Sequence, residues 1–288
     1  MLRESSDDDI AAACKPRRRN SRKGENGVVL VVGGSWLYHG APLLASLAAM
    51  RAGVDLVYLA VPEKIATAVR AYTPSIIVLP LTDYKLTPRS ADRIAETIEG
   101  ITALTVGPGL ARGSERGIVK LLDKIMDAGV PAVLDATALF PEILQKISGY
   151  EVVLTPHAGE FRRLFGIELG PDVGERVEKV RKMAQGYGVT VLLKGMFDII
   201  SDGSEVVVNR KSWESAGMTV GGTGDVLAGL TAGLMARGAK PFEAAVAGAR
   251  VNGLAGVNAV KRKGFHITPE DVIEELSNVL KPFDRIVE

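Results

Sequence analysis

Short apolar runs recur along the chain, and each ends in a glycine or polar turn before a segment with helical spacing. Continuous runs of valine, leucine and isoleucine are typical of strands buried on both faces of a parallel sheet. Strands that alternate with helices predict an α/β fold with helices on both faces of a mostly parallel sheet. The predicted strands are Gly27–Val32, Asp55–Val61, Ser75–Leu79, Ile101–Val106, Ala132–Leu134, Glu151–Leu154 and Thr190–Leu193, and the predicted helices between them are Ala41–Arg51, Glu63–Tyr72, Ser90–Glu99 and Ser114–Ala128.

The pattern changes in the last third of the chain. Phe197–Ser201 and Glu205–Val208 flank an Asp-Gly pair, which predicts a β-hairpin. Two later helices are predicted to begin near Pro241 and after Thr268, a suitable N-cap. Since no internal repeat or low-complexity linker is found, residues 27–288 are predicted to form one domain.

Residues 1–26 are predicted to form a flexible, charged tail outside this domain. Acidic Asp7–Asp9 is followed by basic Arg17–Arg19, and apolar residues are few. A basic run of this length is usually solvated, and no aromatic residues accompany it. Nucleic-acid binding is therefore not predicted for the tail.

The composition narrows the classes of function. The formal net charge of +1 over 288 residues gives no general attraction to nucleic acid or to an anionic membrane. A single cysteine, Cys14, excludes an intrachain disulfide and fits a reducing compartment, so a cytoplasmic location is expected. No apolar run reaches the ~18 residues expected of a membrane span.

The run GMTVGGTGDVLAG, Gly217–Gly229, is the clearest candidate site. Glycines at a helix start allow backbone N–H groups to converge on an anion, and the helix dipole adds partial positive charge. Gly222, Thr223 and Gly224 are predicted to form this anion hole. Asp225 has two interpretations: it takes a proton from an attacking hydroxyl, or it complements the helix dipole.

Other polar residues follow predicted strands. Ligands of open α/β sheets bind outside the carboxyl ends of the strands, which selects Gly107, Gly109, Asp135, His157 and Lys194. Each has a simpler structural interpretation. The glycines serve tight turns, the aspartate caps a helix, the histidine is structural, and the lysine binds carbonyls rather than a phosphate.

Several standard motifs are absent from the sequence. The G-x-G-x-x-G spacing of a dinucleotide fold, the P-loop and the G-x-S-x-G elbow are not found. No histidine pair has the H-E-x-x-H spacing of a zinc site, so no protein-built metal site is predicted.

An ordered set of motifs resembles the ribokinase-like superfamily, and within it the ADP-dependent NAD(P)H-hydrate dehydratases. The resemblance covers Lys23 to the C-terminus. TPHAGE and the extended GGTGDVLAG run are more specific to the dehydratases than GTGD, which is found throughout the superfamily. The motifs are KGENG, VVGGS, AAMRAG, GPG, LDATAL, TPHAGE, LLKG and GMTVGGTGDVLAG. The resemblance implies a three-layer sandwich.

The resemblance also implies a reaction: NADHX or NADPHX, hydrated on the nicotinamide ring, is phosphorylated by ADP and then loses phosphate, giving NADH or NADPH and AMP. Mg²⁺ would bind through the phosphates. Asp225 would be the base, beside the anion hole. The nucleotide would lie against Gly224 and against Lys194, Gly195, Met196, Phe197 and Asp198, and the substrate against Ala41, Gly107, Gly109, His157 and Asp225.

Two partners follow from the resemblance: further copies of the chain in a homotetramer, and a separate NAD(P)HX epimerase. The motifs leave two rival functions open. An ATP-dependent kinase of a small alcohol, such as a sugar, a hydroxymethylpyrimidine or a hydroxyethylthiazole, would use the same aspartate and anion hole. A nucleotide sensor would keep the pocket without turnover.

Overall fold

A central sheet of ten strands runs through the protein, of which the computed structural model describes residues 2–288. The described residues contain these ten strands and two others: β1 (Leu2–Glu4), β2 (Arg17–Arg18), β3 (Val28–Val32), β4 (Leu56–Pro62), β5 (Ile77–Leu81), β6 (Ala103–Val106), β7 (Ala132–Leu134), β8 (Val152–Leu154), β9 (Thr190–Leu193), β10 (Phe197–Ser201), β11 (Val206–Arg210) and β12 (Ile286–Val287). Their order in the sheet is β1-β11-β10-β9-β8-β7-β6-β3-β4-β5, and β2 pairs with β12 in a separate small sheet. Only β10 runs antiparallel to its neighbours among the described residues.

Helices cover both faces of the sheet. They are α1 (Asp7–Ala13), α2 (Gly40–Arg51), α3 (Glu63–Tyr72), α4 (Pro88–Thr97), α5 (Glu115–Asp127), α6 (Leu144–Ile147), α7 (Ala158–Phe165), α8 (Val173–Tyr187), α9 (Thr223–Ala236), α10 (Pro241–Lys263) and α11 (Pro269–Leu280). Side chains alternate along a strand, so Val29 and Val31 enter one core and Leu30 and Val32 the other. Helices α1–α3 and α9–α11 cover the first core, and α4–α8 cover the second. The predicted three-layer α/β architecture is confirmed.

Helices α2 and α9 pack with their backbones in contact. A Cβ atom added to Gly229 would lie 1.9 Å from the carbonyl oxygen of Ala45, and one added to Gly233 would lie 2.5 Å from the Cβ of Ala52. Both contacts advance along the two helices in the same direction, so the helices are parallel. Their N-termini therefore emerge side by side at the same edge of the sheet.

The predicted hairpin is present, while one predicted strand is displaced. Strands β10 and β11 pair antiparallel, and Gly203 has a φ of +95° in the turn between them. The strand predicted at Ser75–Leu79 is instead β5, which continues through Pro80. Proline is tolerated there because β5 is an edge strand.

The prediction of a flexible tail over residues 1–26 is wrong for residues 2–26, and Met1 lies outside the described residues. Strand β1 pairs in parallel with β11 and extends the central sheet. Helix α1 places Ile10 and Ala13, both 0% exposed, in the core. Strand β2 pairs with β12 near the C-terminus. The segment is therefore a folded part of the domain.

The charges that suggested a tail are paired with distant residues. The Arg3 guanidinium lies 2.7 Å from Asp9 and 2.8 Å from Glu205. The Asp7 carboxylate lies 2.6 Å from the Arg250 guanidinium on α10. Glu205 and Arg250 lie more than 200 positions from Arg3 and Asp7, so a local count of charges does not reveal these two pairs.

Candidate active site

The carboxyl ends of five neighbouring strands meet at one edge of the sheet. Strands β3, β6, β7, β8 and β9 are adjacent and parallel. The predicted residues Gly107, Asp135, His157 and Lys194 follow four of them, and a bridge joins His157 to Lys194. The prediction that the fold gathers these residues on one rim is correct.

The first turn of α9 opens onto this rim. The N-cap residue Gly222 has a φ of +104°, and a Cβ there would lie 2.6 Å from the Cγ of Pro269. Only glycine fits at this position, because it tolerates the positive φ and because there is no room for a Cβ atom. No side chain caps the helix, and the Thr223 hydroxyl instead donates to the carbonyls of Met218 and Val220. The first-turn amides, including that of Gly224, are therefore available to an anion.

Lys194 lies directly beside that turn. Its Nζ is 2.7 Å from Oδ1 of Asp135 and 3.8 Å from Oε2 of Glu160. A Cβ added to Gly224 would be 3.4 Å from the same Nζ. Burial alone would lower the pKa of Lys194, but the carboxylates of Asp135 and Glu160 outweigh it, and the pKa is raised. The lysine is therefore a fixed cation under the anion hole.

Asp225, in the first turn of α9, has a perturbed acidity. Burial raises its pKa to about 7, the nearby Asp135 and Glu160 carboxylates act in the same direction, and Lys194 partly opposes them. A carboxyl with this pKa is divided between its two protonation states at neutral pH. That property suits a group that takes a proton from a substrate hydroxyl.

Asp135 forms part of the charge cluster and does not cap a helix. Its side chain makes no capping hydrogen bond. The residue is 2% exposed, and its Oδ1 accepts hydrogen bonds from the Thr155 hydroxyl at 2.8 Å and from Lys194. The next residue, Ala136, has a φ of +50°, which is unusual for a residue with a side chain. The backbone is thus strained next to the cluster.

On the predicted substrate side, Gly109 and Ala41 lie together. A Cβ added to Gly109 would be 3.1 Å from the Cβ of Ala41 in the first turn of α2. Gly107 is buried behind them, where an added Cβ would be 1.8 Å from the carbonyl oxygen of Asp135. Its role is to let two strand-end loops approach each other, so it is not a surface for a ligand.

His157 stands at the rim with a side chain that is 60% exposed. Its Nδ1 accepts hydrogen bonds from the amides of Gly159 and Glu160 and caps α7. The Glu160 carboxylate accepts in return from the His157 amide at 2.9 Å. The structural interpretation of His157 is therefore correct, and its exposure leaves the ring accessible to a ligand as well.

The predicted nucleotide side borders a cavity of about 490 Å³. Gly195, Met196 and Phe197 line it together with residues of the 3₁₀ segment Trp213–Thr219. Asp198 does not line this cavity. Its carboxylate is 1% exposed and binds Lys211 at 2.7 Å, so it holds the turn in place from below.

The sequence prediction missed some of the residues of this site. The motif TPHAGE contains Glu160, but no role is predicted for it from the sequence. Lys211 and Trp213 carry no local signal, because only the pairing of β10 with β11 brings them to the Gly195 turn.

Two further features bear on the class of function. Within residues 2–288, no three histidine, cysteine or carboxylate side chains group so as to hold a metal ion. Over the same residues, no helix has both the length and the apolar character needed to cross a membrane.

Comparison with known proteins identifies the family of the chain. A family model described as NAD(P)H-hydrate dehydratase matches residues 29–278. The ADP-dependent (S)-NAD(P)H-hydrate dehydratase of Cenarchaeum symbiosum (strain A) is 50% identical over 281 residues, covering 97% of each chain.

Solved structures share the fold. A ribokinase-like superfamily protein of Enterococcus faecalis V583 has a TM-score of 0.83 at 23% identity, covering 99% of this chain and 97% of that one. The ADP/ATP-dependent NAD(P)H-hydrate dehydratase of Bacillus subtilis, co-crystallized with ATP/Mg²⁺, has a TM-score of 0.81 at 25% identity, covering 97% and 98%. The predicted ribokinase-like fold is confirmed. The chain belongs to the NAD(P)H-hydrate dehydratase family.

Proposed function

We propose that the protein catalyses the ADP-dependent dehydration of NADHX and NADPHX, which returns the damaged cofactor to NADH or NADPH. The observation that carries this proposal is the pairing of Asp225, whose pKa is raised to about 7, with the uncapped first turn of α9. A base beside an anion hole is what phosphoryl transfer to a hydroxyl needs. The named relative at 50% identity supports the choice of substrate.

In the first step, the Asp225 carboxylate takes the proton from the ring hydroxyl. The hydroxyl oxygen bonds to the terminal phosphorus of ADP while the bond from that phosphorus to the bridging oxygen breaks, and AMP leaves. The amides of Thr223 and Gly224, with the Lys194 ammonium beside them, stabilise the charge on the transferred group. This step turns a poor leaving group into a good one.

In the second step, the lone pair of the ring nitrogen expels phosphate as the carbon–oxygen bond breaks. Transfer of a proton from the adjacent ring carbon to the departing phosphate restores the double bond. Atoms balance as hydrate plus ADP giving NADH or NADPH, AMP and phosphate. Asp225, protonated in the first step, must release its proton before the next turnover, and a pKa near 7 makes that release easy.

The remaining roles follow the two sides of the rim. We assign Gly195, Met196 and Phe197 to the nucleotide, with Asp198 positioning their turn, and Ala41, Gly109 and His157 to the hydrate. Mg²⁺, held by the phosphates of ADP rather than by a protein cage, supplies charge neutralisation when bound.

The test is recovery of the NADH absorbance from NADHX. We expect recovery when ADP is added, together with AMP and phosphate in equal amounts, and none without a nucleotide. Repeating the assay with ATP in place of ADP shows which nucleotide donates the phosphoryl group. If NADHX is untouched while a thiazole or pyrimidine alcohol is phosphorylated, the kinase function replaces this one.

We expect the activity to depend on pH through Asp225. The base is active when ionised, and a folded-state pKa of about 7 means that the ionised fraction grows as pH rises through neutrality. The value of kcat/KM, which reports the free enzyme, should therefore rise about tenfold between pH 6 and pH 8 and then level off. The measurement is the initial rate across that range at concentrations of ADP and NADHX below their KM values. A flat profile would rule out Asp225 as the titrating base.

We also propose that the protein acts in the cytoplasm as a homotetramer. A separate NAD(P)HX epimerase would convert the opposite epimer of the hydrate into the one that this site accepts. Sedimentation measures the oligomeric state. The role of the epimerase is tested by whether adding one accelerates the repair of a mixture of the two NADHX epimers.

A further inference from the structure

Two large apolar side chains stand exposed over the cavity on the nucleotide side. Trp213 is 76% exposed and Met196 is 73% exposed, and both line that cavity. Exposed large apolar groups that converge on one cavity commonly mark a ligand site. The two residues approach from different elements, the turn after β9 and the 3₁₀ segment after β11. Two separate parts of the chain therefore bring exposed apolar side chains to the same cavity.

The other ring in this cavity already has a partner. The Arg210 guanidinium lies 5.1 Å from the centroid of the Phe197 ring, and Arg210 is itself 2.5 Å from the Glu4 carboxylate of β1. Lys211 and Asp198 are likewise paired. No ring or cation stacks on Trp213 within residues 2–288. Its indole is thus the aromatic surface left for a flat ligand.

The lining of the cavity is close in sequence to the anion hole. Met218 and Thr219 line it, and the chain then passes to Gly222 at the start of α9. A nucleotide whose phosphates occupy the α9 amides would therefore extend its nucleoside toward Trp213. An indole offers a larger stacking surface to a purine than to a pyrimidine.

We propose that Trp213 is a specificity-determining residue that stacks on the base of the donor nucleotide, with Met196 on the other side. The inference rests on the proposed function, because it takes the donor to be a purine nucleoside diphosphate. Trp213 lies outside the reacting centre, so it acts on binding of the donor and not on the chemical step.

Truncation at this position should weaken donor binding selectively. We expect Trp213→Ala to raise the Kd for ADP roughly tenfold, as for loss of one base–aromatic stack, and Trp213→Phe to restore most of it. The preference for ADP over CDP should shrink in Trp213→Ala. Tyr84→Ala is the matched control, since Tyr84 is 66% exposed but lies outside the cavity, and its Kd for ADP should not change.

The two tryptophans of the chain allow a direct spectroscopic test. Trp36, 77% exposed, lies before α2 and does not line this cavity. In Trp36→Phe only Trp213 emits, and we expect ADP to quench its fluorescence to saturation. In Trp213→Phe only Trp36 emits, and ADP should leave its emission unchanged.

The outcomes separate this inference from the proposed function. Two results would overturn the role of Trp213 while ADP binding stands. One is an equal Kd for ADP in wild type and Trp213→Ala, and the other is quenching by ADP in Trp213→Phe but not in Trp36→Phe. Failure of the wild-type protein to bind ADP by calorimetry would overturn both. Loss of oligomeric state in Trp213→Ala would instead assign the exposed indole to a contact between copies.

Discussion

Replacement of Asp225 by asparagine is expected to lower the turnover number by a factor of 10² to 10⁴, the usual contribution of a general base. Asparagine keeps the size of the side chain and removes its ability to accept the hydroxyl proton. The fall should be seen in the turnover number at saturating substrates, since the base acts in the transition state. Stopped assays of NADH formation measure it.

Measurements of ADP binding and thermal stability on the Asp225→Asn variant serve as controls. Removing a negative charge beside the α9 amides should leave ADP binding intact or make it tighter, because the phosphates no longer face a carboxylate. An unchanged thermal midpoint would show that the fold is kept. Activity within a few-fold of wild type would eliminate Asp225 as the base, and a joint loss of activity and ADP binding would point to a damaged helix start.

Replacement of Lys194 by methionine is expected to affect both stability and pH dependence. The change leaves the Asp135 carboxylate, 2% exposed, without its cation. Loss of one partner of a buried ion pair costs about 3–5 kcal/mol of the free energy of unfolding. Lys194 also lowers the pKa of Asp225, so its removal must raise that pKa above about 7. The activity profile should therefore shift to more alkaline pH.

A second buried pair provides a close control. Lys211 and Asp198 are also 2.7 Å apart, with side-chain exposures of 15% and 1%, against 18% and 3% for Lys194 and Asp135. Lys211→Met should lose comparable stability in chemical denaturation, yet its activity profile should remain centred near pH 7. If both variants shift the profile, or neither does, the electrostatic link between Lys194 and Asp225 is wrong.

The alternation of strands and helices was readable from the sequence because it depends on local pattern. Continuous apolar runs such as Val28–Val32 predict buried strands, and the order of motifs predicts the sandwich. The glycine-rich start of α9 was also predicted, since the residue types that the helix start requires are adjacent in the chain.

Contacts between residues that are distant in the sequence could not be predicted from local pattern. Lys194 and Asp135 are 59 positions apart, and they meet only because β7, β8 and β9 are neighbours in the sheet. The sequence placed both residues at strand ends but contained nothing about their 2.7 Å contact. The raised pKa of Asp225 follows from that cluster and could not be inferred before the strand order was known.

The pairing of β1 with β11 has a consequence for biosynthesis. The Ser5 hydroxyl bonds to Asn209, 204 positions later, so the partner strand is made long after β1 has left the ribosome. At about 5–20 residues per second, β1 waits roughly 10–40 s for its partner. During that interval the acidic run Asp7–Asp9 favours solvation over association with other chains. Docking of the first strand is then a late event in folding, and it closes the sheet edge that supports Arg210 and the ring of Phe197 in the cavity wall.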